Sequence, residues 1–154
     1  MPNGTVVGIC IAAVRGEPMQ SLEQVMAIAG EGLAGDRYSR GEGSFNKGKQ
    51  GQRQVTLINA IFFPGTTFTH AETRRNIATM GVELMWLIGR EFEIGEACMR
   101  GIKYSDPCAR PSKLAGKEKL FSEAFHDRGG LVAEVIRGGL IRVGDFIIPP
   151  PKGY

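Results

Sequence analysis

Apolar residues along this chain come in short bursts separated by glycines and prolines. Val6 to Val14 (VVGICIAAV) is rich in β-branched residues and has the length of a buried strand, ended by Gly16 and Pro18. Gln54 to Asn59 alternates, which puts Val55, Leu57 and Asn59 on one face of a strand. Glu91 to Gly95 and Ala97 to Tyr104 read as two strands joined at Gly95-Glu96. Leu131 to Ile136, Leu140 to Val143 and Phe146 to Ile148 read as three more, with turns at Gly138-Gly139 and Gly144-Asp145. Helical spacing is rarer. From Ser112 to Phe125, Leu114, Phe121 and Phe125 form an apolar stripe while Lys113, Lys117 and Lys119 lie mainly elsewhere, which predicts the best helix of the chain. Val82 to Ile88 predicts a short helical turn, and Ser21 to Ala29 fits either state. Glu31 to Lys49, full of glycines and charges, predicts a long loop, and loops of that length in compact domains often carry function.

Short strands, glycine-rich turns and one good helix predict a mainly β fold, a closed or partly closed barrel with a few short helices. The 154 residues suit a single domain over residues 1–154, long enough to need no disulfide or metal staple. A hydrophobic share of 42% with 23% charged residues excludes wholesale disorder. The 22 glycines follow no repeat, which excludes a collagen or linker reading. Cys10, Cys98 and Cys108 are odd in number and form no CxxC pair, which argues against a disulfide scaffold and a structural zinc. Neither a signal-peptide pattern nor an apolar run approaching about 18 residues is present. The expected setting is the cytoplasm, away from membranes, with free thiols.

A net charge of +3 gives a mild preference for anionic partners. The imbalance is local: between Arg100 and Lys119, six basic residues face Asp106 and Glu118 alone. Cys108 lies inside that stretch, in a turn stiffened by Pro107 and Pro111, with Arg110 and Lys113 close by. A cysteine before a predicted helix and beside positive charges should favour its thiolate, the form that metal ligation and sulfur transfer both require. Cys10, in an apolar strand, and Cys98, in another, read as small buried hydrophobes. Arg74, Arg75 and Asn76 offer planar donors for phosphate or carboxylate oxygens, or else one salt bridge and one solvated arginine. Arg128 with Gly129 and Gly130 could turn backbone N–H groups toward an anion, whereas the adjacent His126 reads more readily as a cap or surface residue. Asp36 could hold Arg37 or Arg53, or cap a turn. Walker loops and GxSxG elbows are absent, and His70 and His126 lack metal-site spacing.

Taken in order, these segments resemble the MOSC family, named after the C-terminal domain of molybdenum-cofactor sulfurases. The matching stretches are Gly32-Leu-Ala-Gly-Asp-Arg37, Arg53-Gln-Val-Thr-Leu57, Arg74-Arg-Asn-Ile-Ala-Thr79 and Gly81-Val-Glu-Leu84. Leu87-Ile-Gly-Arg-Glu-Phe-Glu-Ile-Gly95 follows, then Pro107-Cys108 with Leu114, Arg128-Gly-Gly-Leu-Val-Ala133 and Gly138-Gly-Leu-Ile-Arg-Val-Gly-Asp145. The resemblance implies a free-standing, bacterial-type member with a β-barrel-like fold that handles molybdenum cofactor. It implies Cys108 as metal ligand, with Arg74, Arg75, Asn76 and Arg128 toward the phosphate and pterin edge, joined by Lys113, Arg53, Asp36 and Arg37. The implied activity is reduction of N-hydroxylated substrates, with an electron-donor protein as partner because the chain has no flavin or iron–sulfur motif. The alternative is a sulfur carrier that holds a persulfide on Cys108, with a cysteine desulfurase as partner. A nucleic-acid role is disfavoured, since no aromatics interleave the basic helix.

Overall fold

The structure is a computed structural model that describes residues 3–46, 48, 51, 53–108, 110–116 and 120–151, with Arg110 as backbone only. Its barrel is built from β1 (Gly4–Ile11), β5 (Val55–Asn59), β6 (Ile77–Met80), β7 (Glu91–Ile94), β8 (Ala97–Tyr104), β9 (Leu131–Arg137) and β11 (Phe146–Ile148). They run in the order β11-β7-β8-β9-β5-β6-β1, and β1 pairs back onto β11 to close the ring. Closure removes the open edges that a flat sheet would expose. One pair, β5 with β6, is parallel, and the other barrel pairs are antiparallel. β2 (Gln20–Leu22) pairs with the C-terminal end of β1, while β3 (Gln24–Ile28), β4 (Gly32–Leu33) and β10 (Gly139–Arg142) make a separate three-stranded sheet.

The hydrophobic pattern explains most of these elements. β7 alternates exposed and buried positions, with Phe92 and Ile94 inward, as a strand with one wet face should. β5 is buried on both faces from Val55 to Ile58, because the aromatic cluster described below covers the side of it that would otherwise face water. Leu57, Ile77, Leu87, Met99, Leu131 and Ile147 meet inside the barrel, each fully buried. The ambiguous stretch around Ser21 to Ala29 resolves as strand, and the expected loop from Glu31 contains β4 and a 3-10 turn at Arg37–Arg40. Gly30-Glu-Gly-Leu-Ala-Gly35 spells a dinucleotide-binding spacing just after β3, but β4 lies within it and the chain goes on into that turn instead of a helix.

The predicted long helix is shorter than its pattern. It appears as α1 (Arg110–Ala115) and α2 (Phe121–Ala124), and residues 117–119 lie outside the described ones. Gly116, at φ +65°, turns the chain left-handed after α1, as a helix-ending glycine does. Leu114 is exposed, so the inward stripe reduces to Phe121 and Phe125. Those two rings stack at 4.7 Å and meet Phe68 edge-on at 5.4 and 6.2 Å. With Ile58 they form a second apolar cluster outside the barrel wall. Aromatic pairs of this kind contribute about 0.5–1.5 kcal/mol each beyond area burial. The Ser112 hydroxyl accepts from the Phe121 amide and ties α2 to α1. This cluster anchors the segment that carries Cys108. Among the described residues no helix is long and apolar enough to cross a membrane.

Candidate functional site

Four guanidinium groups from three separate stretches converge on one pocket at the barrel mouth. Arg37, Arg53, Arg74 and Arg75 all line it, and so does Cys108, which is half-buried. Tyr38 and Phe45 complete the aromatic part of its wall. No acidic side chain lines it among the described residues. The pocket is tight, with a cavity volume of about 20 Å³.

Each arginine is held differently. Arg75 is buried, and its Nε donates to the Gly129 carbonyl at 2.7 Å. Its Nη2 reaches the carbonyls of Ser105 and Asp106 at 3.4 and 3.3 Å, and its guanidinium lies 5.4 Å from the Phe121 ring centre. Burial lowers its pKa to about 10, helped by repulsion from Arg53 and opposed by attraction to Cys108, so it stays charged at neutral pH. Arg37 forms an ion pair with Asp36 at 2.8 Å and sits 4.5 Å from the Tyr38 ring centre. Arg74, at φ +63°, donates to the Glu17 carbonyl. Arg53 is also left-handed, at φ +50°, and spans between Phe45 at 4.7 Å and Tyr38 at 5.7 Å. Its Nη2 donates to the Ser105 hydroxyl at 3.4 Å. Its Nε is buried with no hydrogen-bond acceptor among the described residues.

Several expected residues serve the site through the backbone instead of lining it. Asp36 is fully buried: besides pairing Arg37, its carboxylate accepts from the amides of Ala12 and Tyr38 at 3.1 and 3.2 Å. It caps the Arg37–Arg40 turn and fixes Arg37 at once. Asn76, also fully buried, accepts from the Thr56 amide and hydroxyl at 3.1 and 3.2 Å and donates to the Cys10 carbonyl at 3.1 Å. It therefore bridges β1 and β5 and has no free edge to offer a pterin. Lys113 is exposed on α1 and does not line the pocket.

Arg128 points elsewhere as well. Its guanidinium lies 4.9 Å from the Phe62 ring centre, in an open groove of about 450 Å³ that also holds Glu83, Glu123 and His126. Asp127, left-handed at φ +62°, reverses the chain after α2 and sends the Arg128 side chain outward. What the Arg128-Gly-Gly segment gives the pocket is the Gly129 carbonyl, an acceptor for Arg75, where exposed N–H donors were expected. Gly129 carries no Cβ for a plain reason: one would overlap the Ser105 carbonyl oxygen. His126 is exposed and lies 3.6 Å from Asp127, as a surface residue.

Sequence reasoning passed over Tyr38, Phe45, Ser44 and Thr56, which also line the pocket. The long-loop reading was the available signal, since three of them fall between Glu31 and Lys49. Asn46 pins that loop by accepting from the Gly43 amide and donating to the Tyr38 carbonyl, both at 2.9 Å. Gly43 is required there, because a Cβ would run into the Tyr38 ring.

The helix beyond Cys108 has six residues, too few turns for a strong dipole at its start. Arginines of distant segments bring positive charge to the pocket that the sulfur lines, and Arg75 is among them. A half-exposed sulfur in a cationic cleft is equipped to be a soft ligand or a nucleophile. Among the described residues, no three His, Cys, Asp or Glu side chains are placed so that they could hold a metal ion together.

A closed seven-stranded barrel with a cysteine in an arginine-lined mouth defines the class of protein. The chain belongs to the MOSC domain family, whose profile matches residues 52–148. Solved structures share the fold. The YUAD protein from Bacillus subtilis superposes with a TM-score of 0.74 at 19% identity, over 95% of this chain and 94% of that one. YiiM from Geobacillus stearothermophilus gives 0.68 at 14% identity, over 97% and 76%. YiiM from Escherichia coli gives 0.63 at 15%, over 96% and 70%. No curated protein matches the sequence.

Proposed function

We propose that this MOSC protein binds molybdenum cofactor, with the Cys108 sulfur as metal ligand, and reduces N-hydroxylated substrates with electrons from a partner protein. The observation that carries the reading is the meeting of Cys108 with Arg37, Arg53, Arg74 and Arg75 in one pocket. Bound cofactor supplies oxygen-atom exchange coupled to two-electron transfer at the metal. The chain's own contribution is binding and orientation. A thiolate suits a soft metal, and guanidinium forks suit an anionic phosphate. The buried Arg53 Nε, without an acceptor among the described residues, fits a site that an anionic group completes.

The test is expression in a host that makes the cofactor, followed by metal analysis of wild type and Cys108→Ala. Wild type should retain molybdenum, and the variant should lose it while keeping its circular dichroism and melting temperature. Equal molybdenum in both would overturn the reading.

A second reading, a sulfur carrier that holds a persulfide on Cys108, is favoured by one observation: the pocket, about 20 Å³, has room for roughly one water-sized group. A terminal sulfur on Cys108 fits there without any opening of the Phe45 side. Mass spectrometry after incubation with a cysteine desulfurase and cysteine separates the two. A reducible gain of one sulfur atom at Cys108 supports the carrier, and its absence removes it.

A further inference from the structure

We propose that a separate cleft, walled by one face of α1 beside the Cys108 pocket, holds the body of the substrate. That body is an uncharged, apolar group about the size of one ring. The inference rests on the Cys108 reading above and names the class of substrate that its site takes.

The tight pocket sets the need. At about 20 Å³ it admits the reacting end of a small molecule and little else. The remaining atoms must lie next door. One neighbouring cleft has a volume of about 230 Å³ and shares Arg74 and Pro111 with the pocket. For scale, an apolar cavity of about 150 Å³ is enough to bind benzene. A docked helix, by contrast, lays down a whole row of side chains.

The walls set the chemistry. Pro111, Leu114 and Ala115 stand at i, i+3 and i+4 on α1, which places them together on the face that lines the cleft. Leu114 is 43% exposed, so this part of the apolar stripe, left out of the core, becomes a cleft wall. Pro18 and Met19 line it from the β1–β2 loop, and Ala71 from the turn before Arg74. That loop is tied down: the Met19 sulfur accepts from Arg37 Nη1 at 3.6 Å, and the Glu17 carbonyl accepts from Arg74. The other charge on the wall, Glu72, accepts from the Thr69 amide and hydroxyl at 3.0 and 3.2 Å. A charged body would compete with those bonds, whereas an apolar one leaves them in place and sheds water.

A second cleft meets the pocket at Phe45 and Arg53 and holds about 480 Å³. Lys103 and Glu134 on its wall suit it to polar groups, and it supplies the control.

The test uses the full chain, prepared from cells that lack the cofactor, and follows alkylation of Cys108 by iodoacetamide and by N-benzyl iodoacetamide. Each rate is divided by that of the urea-unfolded chain, and the ratio of benzyl to parent reagent is compared between variants. Wild type should prefer the benzyl reagent roughly tenfold or more, with saturation, as burial of a ring predicts. Leu114→Gln should cut the preference to about threefold or less, and Ala115→Phe, which fills the cleft, should remove it. Ile102→Gln, on the wall of the other cleft, should leave it intact. Circular dichroism checks folding. Should a cleft variant unfold, competition in wild type reads the same site. Benzyl alcohol should slow the benzyl reagent and spare iodoacetamide; equal slowing, or none, overturns the inference. So does a missing benzyl preference, one that survives both cleft variants, or one lost in Ile102→Gln. A dimer in light scattering that Leu114→Gln splits would put a second chain in the cleft and overturn it too. Molybdenum retained by wild type without a benzyl preference sinks this inference alone. A benzyl preference with neither molybdenum nor sulfur ever found on Cys108 sinks the Cys108 reading and leaves an apolar binding cleft standing.

Discussion

Two thiols are tied to Arg75, one through each end of that residue. The Arg75 carbonyl faces His70 Nε2 at 3.0 Å, and His70 Nδ1 lies 3.5 Å from the Cys10 sulfur. The Arg75 guanidinium, at the other end, attracts Cys108. With Nε2 donating to that carbonyl, Nδ1 is left as an acceptor for the Cys10 S–H. A cysteine, a histidine and Ser21, at 3.6 Å from the sulfur, resemble a nucleophile with its base. Burial decides otherwise. Cys10 is 1% exposed, and desolvation pushes its thiol up while holding His70 down, so the pair rests neutral. Cys108 is half-buried and faces guanidinium groups. The contrast teaches that a polar partner is not enough to activate a sulfur; access and net local charge matter more.

Alkylation breaks or sharpens this contrast most strongly. In native protein at pH 8, iodoacetamide should label Cys108 roughly 100-fold or more faster than Cys10, because Cys10 needs local opening first. Iodoacetate, being an anion, should favour Cys108 further. Peptide mapping by mass spectrometry after timed quenches reads both rates. Similar rates at the two sites would remove the basis for assigning them different roles.

Arg75→Lys should come next in size. Arg75 serves three carbonyls, at Gly129, Ser105 and Asp106, and a lysine cannot reproduce that fork. A loss of about 2–3 kcal/mol in urea unfolding is expected, in line with hydrogen bonds made by a charged group. Cys108 alkylation should slow in the same variant, since the charge moves and its loop loosens. Cys10 should stay protected, because the contact to His70 uses the backbone of residue 75. A stable variant with unchanged Cys108 kinetics would mean that Arg75 is merely filling space.

How much of this was legible beforehand follows from the range of the forces involved. Local pattern was enough for β1, β5, β7, β8, β9 and β11, because alternation and glycine punctuation are properties of neighbours in sequence. β6 was not singled out as a strand: its first residues fall inside a segment whose arginines drew a functional reading. The helix from Ser112 was read too long because Leu114 matches the stripe by spacing while Gly116 ends the turn before it can be used. At the site, Cys108, Arg37, Arg53, Arg74 and Arg75 meet in one pocket. Asn76 and Arg128 do not line it, for tertiary reasons: the Asn76 amide is consumed by β1 and β5, and Asp127 turns Arg128 onto Phe62. Sequence order says which residues are near a motif, but not which side of the backbone a distant strand will occupy.

The smallest effect is the pH dependence of stability that the Cys10–His70 pair imposes. Burial holds His70 below its ordinary 6.5, with the backbone at Arg75 and Asn76 pulling partly back. The unfolded chain then takes up a proton before the native one does, so the stability present above pH 6.5 is lost as pH falls through the lowered native value. Cys10 runs the other way. Burial lifts it above its ordinary 9.0, Ser21 opposing, so its contribution is full below pH 9.0 and is lost as pH rises through the raised native value. Melting temperature should accordingly level off between pH 6.5 and 9.0 and fall on both sides. His70→Gln, neutral at every pH, should flatten the acid limb just below pH 6.5 while leaving the alkaline one. Cys10→Ala should flatten the alkaline limb only in part, because Cys98 is raised too, by burial first and by Glu91 second. An acid limb that survives unchanged in His70→Gln would show that His70 already protonates in the native protein, and the account of Cys10 as the quiet thiol would lose its neutral partner.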